Sequence, residues 1–104
     1  MLLCGSEGRV LLTDQAHSVL YSVNWNRLLI PNLMLWISNG GRQSRPWNGN
    51  NFCIGIEPVV SAFDLGTYAS RSPNPLANQG VETVRRFLPQ KPETFSIEIA
   101  AQSI

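Results

Sequence analysis

An all-β fold, an antiparallel β-sandwich or part of one, is what this sequence predicts. Three observations carry that reading. Several short stretches alternate apolar and polar residues with the period of two that a half-buried strand imposes. No stretch of ten residues shows a helical period with caps at its ends. Glycine and proline punctuate the chain between those stretches, eight and seven of them among 104 residues, and both residues break regular structure.

Taken in order, Arg9–Asp14 (RVLLTD) reads as a short strand, and Gln15-Ala16 as a turn. His17–Trp25 reads as a strand with Val19, Tyr21, Val23 and Trp25 on one face and the wetter Ser18, Leu20, Ser22 and Asn24 on the other. Asn26–Asn32, with Pro31, is a connection. Leu33–Ser38 is the next strand, with Leu33, Leu35 and Ile37 alternating with Met34, Trp36 and Ser38. Ser38-Asn39-Gly40-Gly41 breaks it, because glycine tolerates backbone angles closed to other residues. Phe52–Ile56 is a second apolar run that delivers Glu57 at its end, and Pro58 belongs to a strand end, a bulge or an edge. Val59–Phe63 continues in extended form, and Asp64–Gly80 is a long excursion rich in Gly, Ser, Pro and Asn. Val81–Phe87 and Glu93–Gln102 alternate as strands, the latter with Phe95, Ile97, Ile99 and Ala101 on one face; Leu88–Pro92 is a turn between them.

Composition narrows the function classes. One domain spans residues 1–104, since a chain of 104 residues holds a single modest core. Charged residues are 14% of the chain, against the usual quarter. So low a charge argues against disorder and requires the chain to bury surface somewhere. A net charge of +1 gives no electrostatic footprint for nucleic acid. Seven of the eight basic residues are arginine, and Lys91 is the one lysine. Cys4 and Cys53 have no motif spacing and read as reduced thiols of a cytoplasmic protein. One histidine, His17, cannot furnish a histidine-rich metal site, and no zinc pattern occurs, so neither metal nor cofactor is expected. The Met1–Gly5 start lacks the basic and apolar regions of a signal peptide, and no apolar run is long enough to span a membrane.

The chemistry concentrates between Leu33 and Pro58 (LMLWISNGGRQSRPWNGNNFCIGIEP). A strand, a loop and a strand bring one carboxylate (Glu57), two guanidiniums (Arg42, Arg45) and two indoles (Trp36, Trp47) into one hairpin-like unit. That set suits a polyol. Indole offers a flat apolar face to C–H groups, and charged or amide groups, including Asn39, pair with hydroxyls. Asn48, Asn50 and Asn51 are read first as turn residues. Each member also has a plainer role: Glu57 solvated or paired with Arg42 or Arg45, the arginines in solvent, the tryptophans in core or interface. His17 reads as structural or exposed, or as a general acid.

SNGGR, RPWNG and IGIEP, followed by a Phe-Asp-Leu-Gly segment, resemble the C-terminal part of the aldose 1-epimerase (galactose mutarotase-like) family. The similarity runs on through NPLANQGVETVRRFLPQKPETFSIEIA and spans roughly Trp25 to the end. It implies a fragment of that family's large β-supersandwich. It also implies a sugar ligand and a glutamate, here Glu57, acting as the base that takes the proton of the anomeric hydroxyl, while an acid protonates the ring oxygen. The chain departs from the family in two ways. The family's acid histidine lies well upstream of the glutamate and His17 does not match it; and Pro58-Val59-Val60 stands where Thr-Gln is typical.

Three expectations follow. The first is a truncated, epimerase-like protein that binds a small-molecule sugar. The second is an active aldose 1-epimerase whose acid comes from a partner subunit or an unexpected residue. The third is a structural or interaction module that kept the fold and lost the site. A fragment of a large sandwich exposes strand edges and an apolar face, so a homodimer is expected under all three.

Overall fold

The computed structural model describes Met1–Ile104. It is all-β and sandwich-like, built from two three-stranded antiparallel sheets. Six strands, β1 (Leu2–Leu3), β2 (Arg9–Asp14), β3 (Val19–Trp25), β4 (Asn32–Asn39), β5 (Phe52–Val59) and β6 (Ile97–Ser103), are joined by loops and by two short helices, α1 (Gly66–Arg71) and α2 (Pro75–Asn78). One sheet has the order β1-β4-β5 and the other β2-β3-β6.

The β2–β3 hairpin closes over a turn in which the Asp14 carboxylate accepts from the His17 amide at 3.1 Å and meets its ring Nδ1 at 2.7 Å. That hydrogen bond, more than the charge of the imidazole, holds the Asp14 carboxyl below its usual value. β6 returns from the far end of the sequence and pairs with β3 along its whole length, from Trp25 opposite Ile97 to Val19 opposite Ser103. At the end of β3, Trp25 is buried; its indole N–H donates to the Ile30 carbonyl at 2.9 Å, and its amide donates to the Gly8 carbonyl at 2.9 Å. Gly8 has φ +76°, and a Cβ there would stand 2.6 Å from the Trp25 carbonyl oxygen. Backbone cannot yield as a side chain does, so only glycine fits.

In the other sheet, β4 pairs with β5 over eight positions, from Asn32 opposite Val59 to Asn39 opposite Phe52. Asn32 is the most buried side chain, 1% exposed. Its Nδ2 donates to the Glu82 carbonyl at 3.0 Å, and its Oδ1 accepts from the Gly5 amide at 3.2 Å. One amide thus ties the start of β4 to both the N-terminal segment and the stretch after α2.

The strand expectations for β2, β3, β4 and the start of β5 hold to within a few residues. Four expectations are corrected. Val81–Phe87 is not a strand. Its polar groups are taken otherwise: the Glu82 carbonyl by Asn32, the Val81 amide by the Leu76 carbonyl, and the Thr83 hydroxyl by the Ser70 carbonyl at 2.8 Å. The last strand begins at Ile97 rather than Glu93, leaving Phe95 outside it. β5 runs through Glu57 and Pro58 to Val59, which Pro58 permits because β5 is an edge strand. Beyond it the chain turns instead of staying extended, with Phe63 at φ 56°. The Asp64–Gly80 excursion carries the two helices, the second capped by the Asn74 side chain, which accepts from the Ala77 amide at 2.9 Å. β1, unforeseen, adds a third strand to β4.

Arg85 clamps the irregular stretch before β6. Its Nε donates to Glu93 at 2.8 Å, and its Nη1 lies 3.8 Å from Glu82. The hydrogen bond from Arg85, aided by its charge, lowers the Glu93 carboxyl below the ordinary glutamate value. A lowered folded value means that the pair's contribution is present above the ordinary glutamate range and is lost as the pH falls through the lowered one. Arg85→Ala is expected to return the Glu93 titration, followed by carboxyl NMR shifts, to the ordinary range. An unchanged midpoint would show that the clamp does not persist in solution.

Candidate functional site

Two adjacent strands of the β1-β4-β5 sheet deliver the site. Strand alternation puts Met34 and Trp36 of β4 on the same face as Gly55 and Glu57 of β5, with Met34 opposite Glu57 and Trp36 opposite Gly55. Gly55 leaves a gap on that face, and the Glu57 carboxylate fills it. Oε1 lies 2.9 Å from where a Gly55 Cβ would stand, and the Trp36 ring edge (Cε3) is 3.6 Å from the same point. Glu57 is half-buried and belongs to none of the chain's ion pairs.

The loop after β4 supplies the cation. Its base is fixed by Ser38 and Asn51: the Ser38 hydroxyl donates to the Asn51 carbonyl at 2.9 Å and accepts from the Asn51 Nδ2 at 2.9 Å. The Gly49 amide donates to the Arg42 carbonyl at 2.8 Å, so the Ser44–Gly49 turn folds back over Arg42. The Arg42 guanidinium therefore sits between two indoles, 5.2 Å from the Trp36 ring centre and 4.8 Å from that of Trp47. Both distances are within the range where a cation is attracted to the ring face. Stacking fixes the position of Arg42 without a carboxylate partner and leaves its N–H groups free for a ligand.

Trp36, Arg42 and Glu57 line one cavity of about 270 Å³ together with Met1, Met34 and Asp64. The Met1 ammonium is held at the rim by the Leu35 carbonyl at 2.9 Å. A larger open cavity of about 830 Å³ adjoins it through the shared residues Phe63 and Asp64, and Arg71, Arg85 and Arg86 lie along it. The smaller cavity thus presents two carboxylates, one guanidinium and an indole, a donor and acceptor set for several hydroxyls beside a flat apolar surface.

Of the six residues expected in the site, the structure brings three to this cavity: Glu57, Trp36 and Arg42. Trp47 contributes from behind, as the second ring on Arg42. Asn39 does not belong, because it falls on the opposite face of β4 from Trp36, exposed and opposite Phe52. Arg45 does not either: it is exposed in the Ser44–Gly49 turn and lines no cavity. His17 is in the turn of the other sheet, bound to Asp14, and no imidazole faces Glu57. Asp64 and Gly55 were missed. Gly55 was legible as the one residue without a side chain two positions before Glu57, on the same face; Asp64 arrives from a turn that no pattern announces.

No protein-family model matches the chain, and neither the curated proteins nor the solved structures yield a match.

Proposed function

We propose that the chain is a carbohydrate-binding protein related to the aldose 1-epimerases, with a monosaccharide held by Glu57, Arg42 and Trp36. One observation supports this above the rest. Two of the motifs that carry the family resemblance are those that build the cavity: SNGGR ends β4 and supplies Arg42, and IGIEP supplies Glu57 with the Gly55 gap beneath it. The cavity volume, about 270 Å³, falls just below the usual span of ligand pockets, about 300 to 1,000 Å³, which favours one small ring over a longer saccharide. A ligand with an anionic substituent has the arginine-lined cavity beside it.

Binding is the stronger reading and turnover the weaker. Ring opening needs a base on the anomeric hydroxyl and an acid on the ring oxygen. Glu57 fits the first role. The second has no histidine to fill it, and Asp64 is the only other carboxyl on the cavity.

The test is an NMR titration of the indole N–H signals with hexoses and hexose phosphates. The Trp36 signal is expected to shift saturably, and Glu57→Gln is expected to weaken the response about tenfold, the loss typical of a charge-assisted hydrogen bond. Gly55→Ala supplies an independent check. Its methyl would clash with the tip of Glu57 at 2.9 Å and reach Trp36 only at ordinary contact distance, 3.4 Å to Cβ, so the fold survives while the carboxylate is pushed aside and affinity falls. Absence of any shift at high millimolar sugar would leave the inherited-fold module as the reading, and a mutarotation assay on the same samples separates binding from catalysis.

A further inference from the structure

Three of the chain's seven arginines stand round one cavity. The net charge is only +1, yet Arg71, Arg85 and Arg86 all line the open cavity of about 830 Å³, with Asp64 as its one carboxylate. Arg85 is engaged with Glu93 and Glu82. Arg71 and Arg86 belong to none of the chain's ion pairs, and both are exposed. Each offers a planar fork of N–H donors and no acceptor. Arginines in solvent have that chemistry anywhere on a surface; here the cavity behind them is a constructed one.

Three segments wall it: the turn after β5, α1, and the irregular stretch from Thr83 to Arg86. Ser70 ties all three together. Its Oγ accepts from the Ala62 amide at 2.9 Å, and its carbonyl accepts from the Thr83 hydroxyl at 2.8 Å. Thr83 is buried and accepts in turn from the Asn74 Nδ2 at 3.3 Å. Within α1, Thr67, Ser70 and Arg71 are three and four residues apart, so they share a helix face, and all three line the cavity. Arg86 follows Arg85, whose hydrogen bond to Glu93 holds that segment in place. Ser70 Oγ is an acceptor in its bond with Ala62, which leaves its O–H to donate to a ligand.

We propose that this cavity binds the phosphate group of a small phosphomonoester, with Arg71 and Arg86 as its charged partners and the Ser70 hydroxyl as a neutral donor. Donors without partners outnumber acceptors here, which calls for a ligand rich in acceptor oxygens. Two guanidiniums without carboxylate partners match the charge of a phosphomonoester, about −1.5 to −2 at neutral pH; a single carboxylate would leave one of them unmatched. The volume, about 830 Å³, is within the span of ligand pockets, about 300 to 1,000 Å³, and exceeds what a phosphate ion fills. The remainder has Phe63 and Val84 for apolar parts of the ester and Asp64 for a hydroxyl. The inference does not rest on the carbohydrate reading. Glu57, Arg42 and Trp36 are not on this cavity, and the two cavities share only Phe63 and Asp64.

The test is an NMR titration of the full chain with glycerol phosphate and with inorganic phosphate at constant ionic strength, read on the arginine Nε–H signals and the Ser70 amide. Saturable shifts are expected at Arg71, Arg86 and Ser70, and none with glycerol alone. Arg71→Gln and Arg86→Gln are each expected to weaken binding about tenfold or more, the loss of a charge-assisted contact. Arg71→Lys keeps the charge but not the planar fork and is expected to fall between. Arg27→Gln removes the same charge from an exposed position that lines no cavity and is expected to change nothing. Tighter binding of glycerol phosphate than of inorganic phosphate identifies an organic ester as the source of the group; equal binding identifies the free ion. No saturation at high millimolar phosphate overturns the proposal. So do equal losses for Arg27→Gln and Arg71→Gln, which would make the anion a diffuse counterion, or shifts confined to Trp36 and Arg42, which would place it in the Glu57 cavity.

Discussion

Asn32→Ala is expected to lower the urea midpoint of unfolding by about 1–2 M. The side chain is 1% exposed and bridges the Glu82 carbonyl and the Gly5 amide. Truncation strands both backbone groups and opens a small cavity, a loss of about 2–4 kcal/mol. A chain of 104 residues has a total stability of about 5–15 kcal/mol, and this one has few buried side chains to offset the loss. The midpoint shift follows from a urea slope of about 1–3 kcal/mol/M. The Gly5 amide is also expected to lose its exchange protection. A midpoint that moves by less than about 0.3 M would mean that Asn32 does not join the two segments in solution, since the Gly5 amide and the Glu82 carbonyl would then have lost no partner.

Asn32 also marks where sequence reading stops. The strands β2, β3, β4 and most of β5 are legible because alternation is local: Val19, Tyr21, Val23 and Trp25 declare a face without reference to anything distant. Val81–Phe87 alternates just as well and is not a strand, because Asn32, fifty residues upstream of Glu82, together with Leu76 and Ser70 engages its polar groups, and nothing in the local pattern records that. β1 fails for the opposite reason. Two residues carry no period, and they form a strand only because β4 has a free edge for them. The site divides the same way. Glu57 and Trp36 share a face by adjacent-strand register, which the hairpin reading anticipates. Asn39 was admitted on proximity in sequence and is excluded by parity, three positions from Trp36 and so on the other face of β4. Arg42 and Arg45 look equivalent in the sequence and both are exposed; the loop puts Arg42 against the Trp36 and Trp47 rings and on the cavity, and gives Arg45 neither contact.

That asymmetry between the arginines leads to the prediction with the largest effect on binding. Trp36→Ala is expected to weaken the sugar response by at least about tenfold, and Arg45→Ala not to change it. Trp36 has two functions at once. Its ring is the flat surface of the cavity, and its face is one of the two between which the Arg42 guanidinium rests at 5.2 Å. Removing it takes away an aromatic contact of about 0.5–1.5 kcal/mol beyond its buried area and releases Arg42, a cation–π contact of about 0.5–1 kcal/mol. Trp47→Ala removes only the support behind Arg42 and is expected to cost less than Trp36→Ala. Trp36→Phe is expected to fall between the unaltered chain and the alanine variant, because it keeps a face for both neighbours. Since Trp36→Ala deletes the indole reporter, the titration is read on backbone amides of Arg42 and Glu57. Equal losses for Arg45→Ala and Trp36→Ala would mean that the loop binds sugar as a mobile basic segment. The stacked arrangement of Arg42 would then be incidental to recognition.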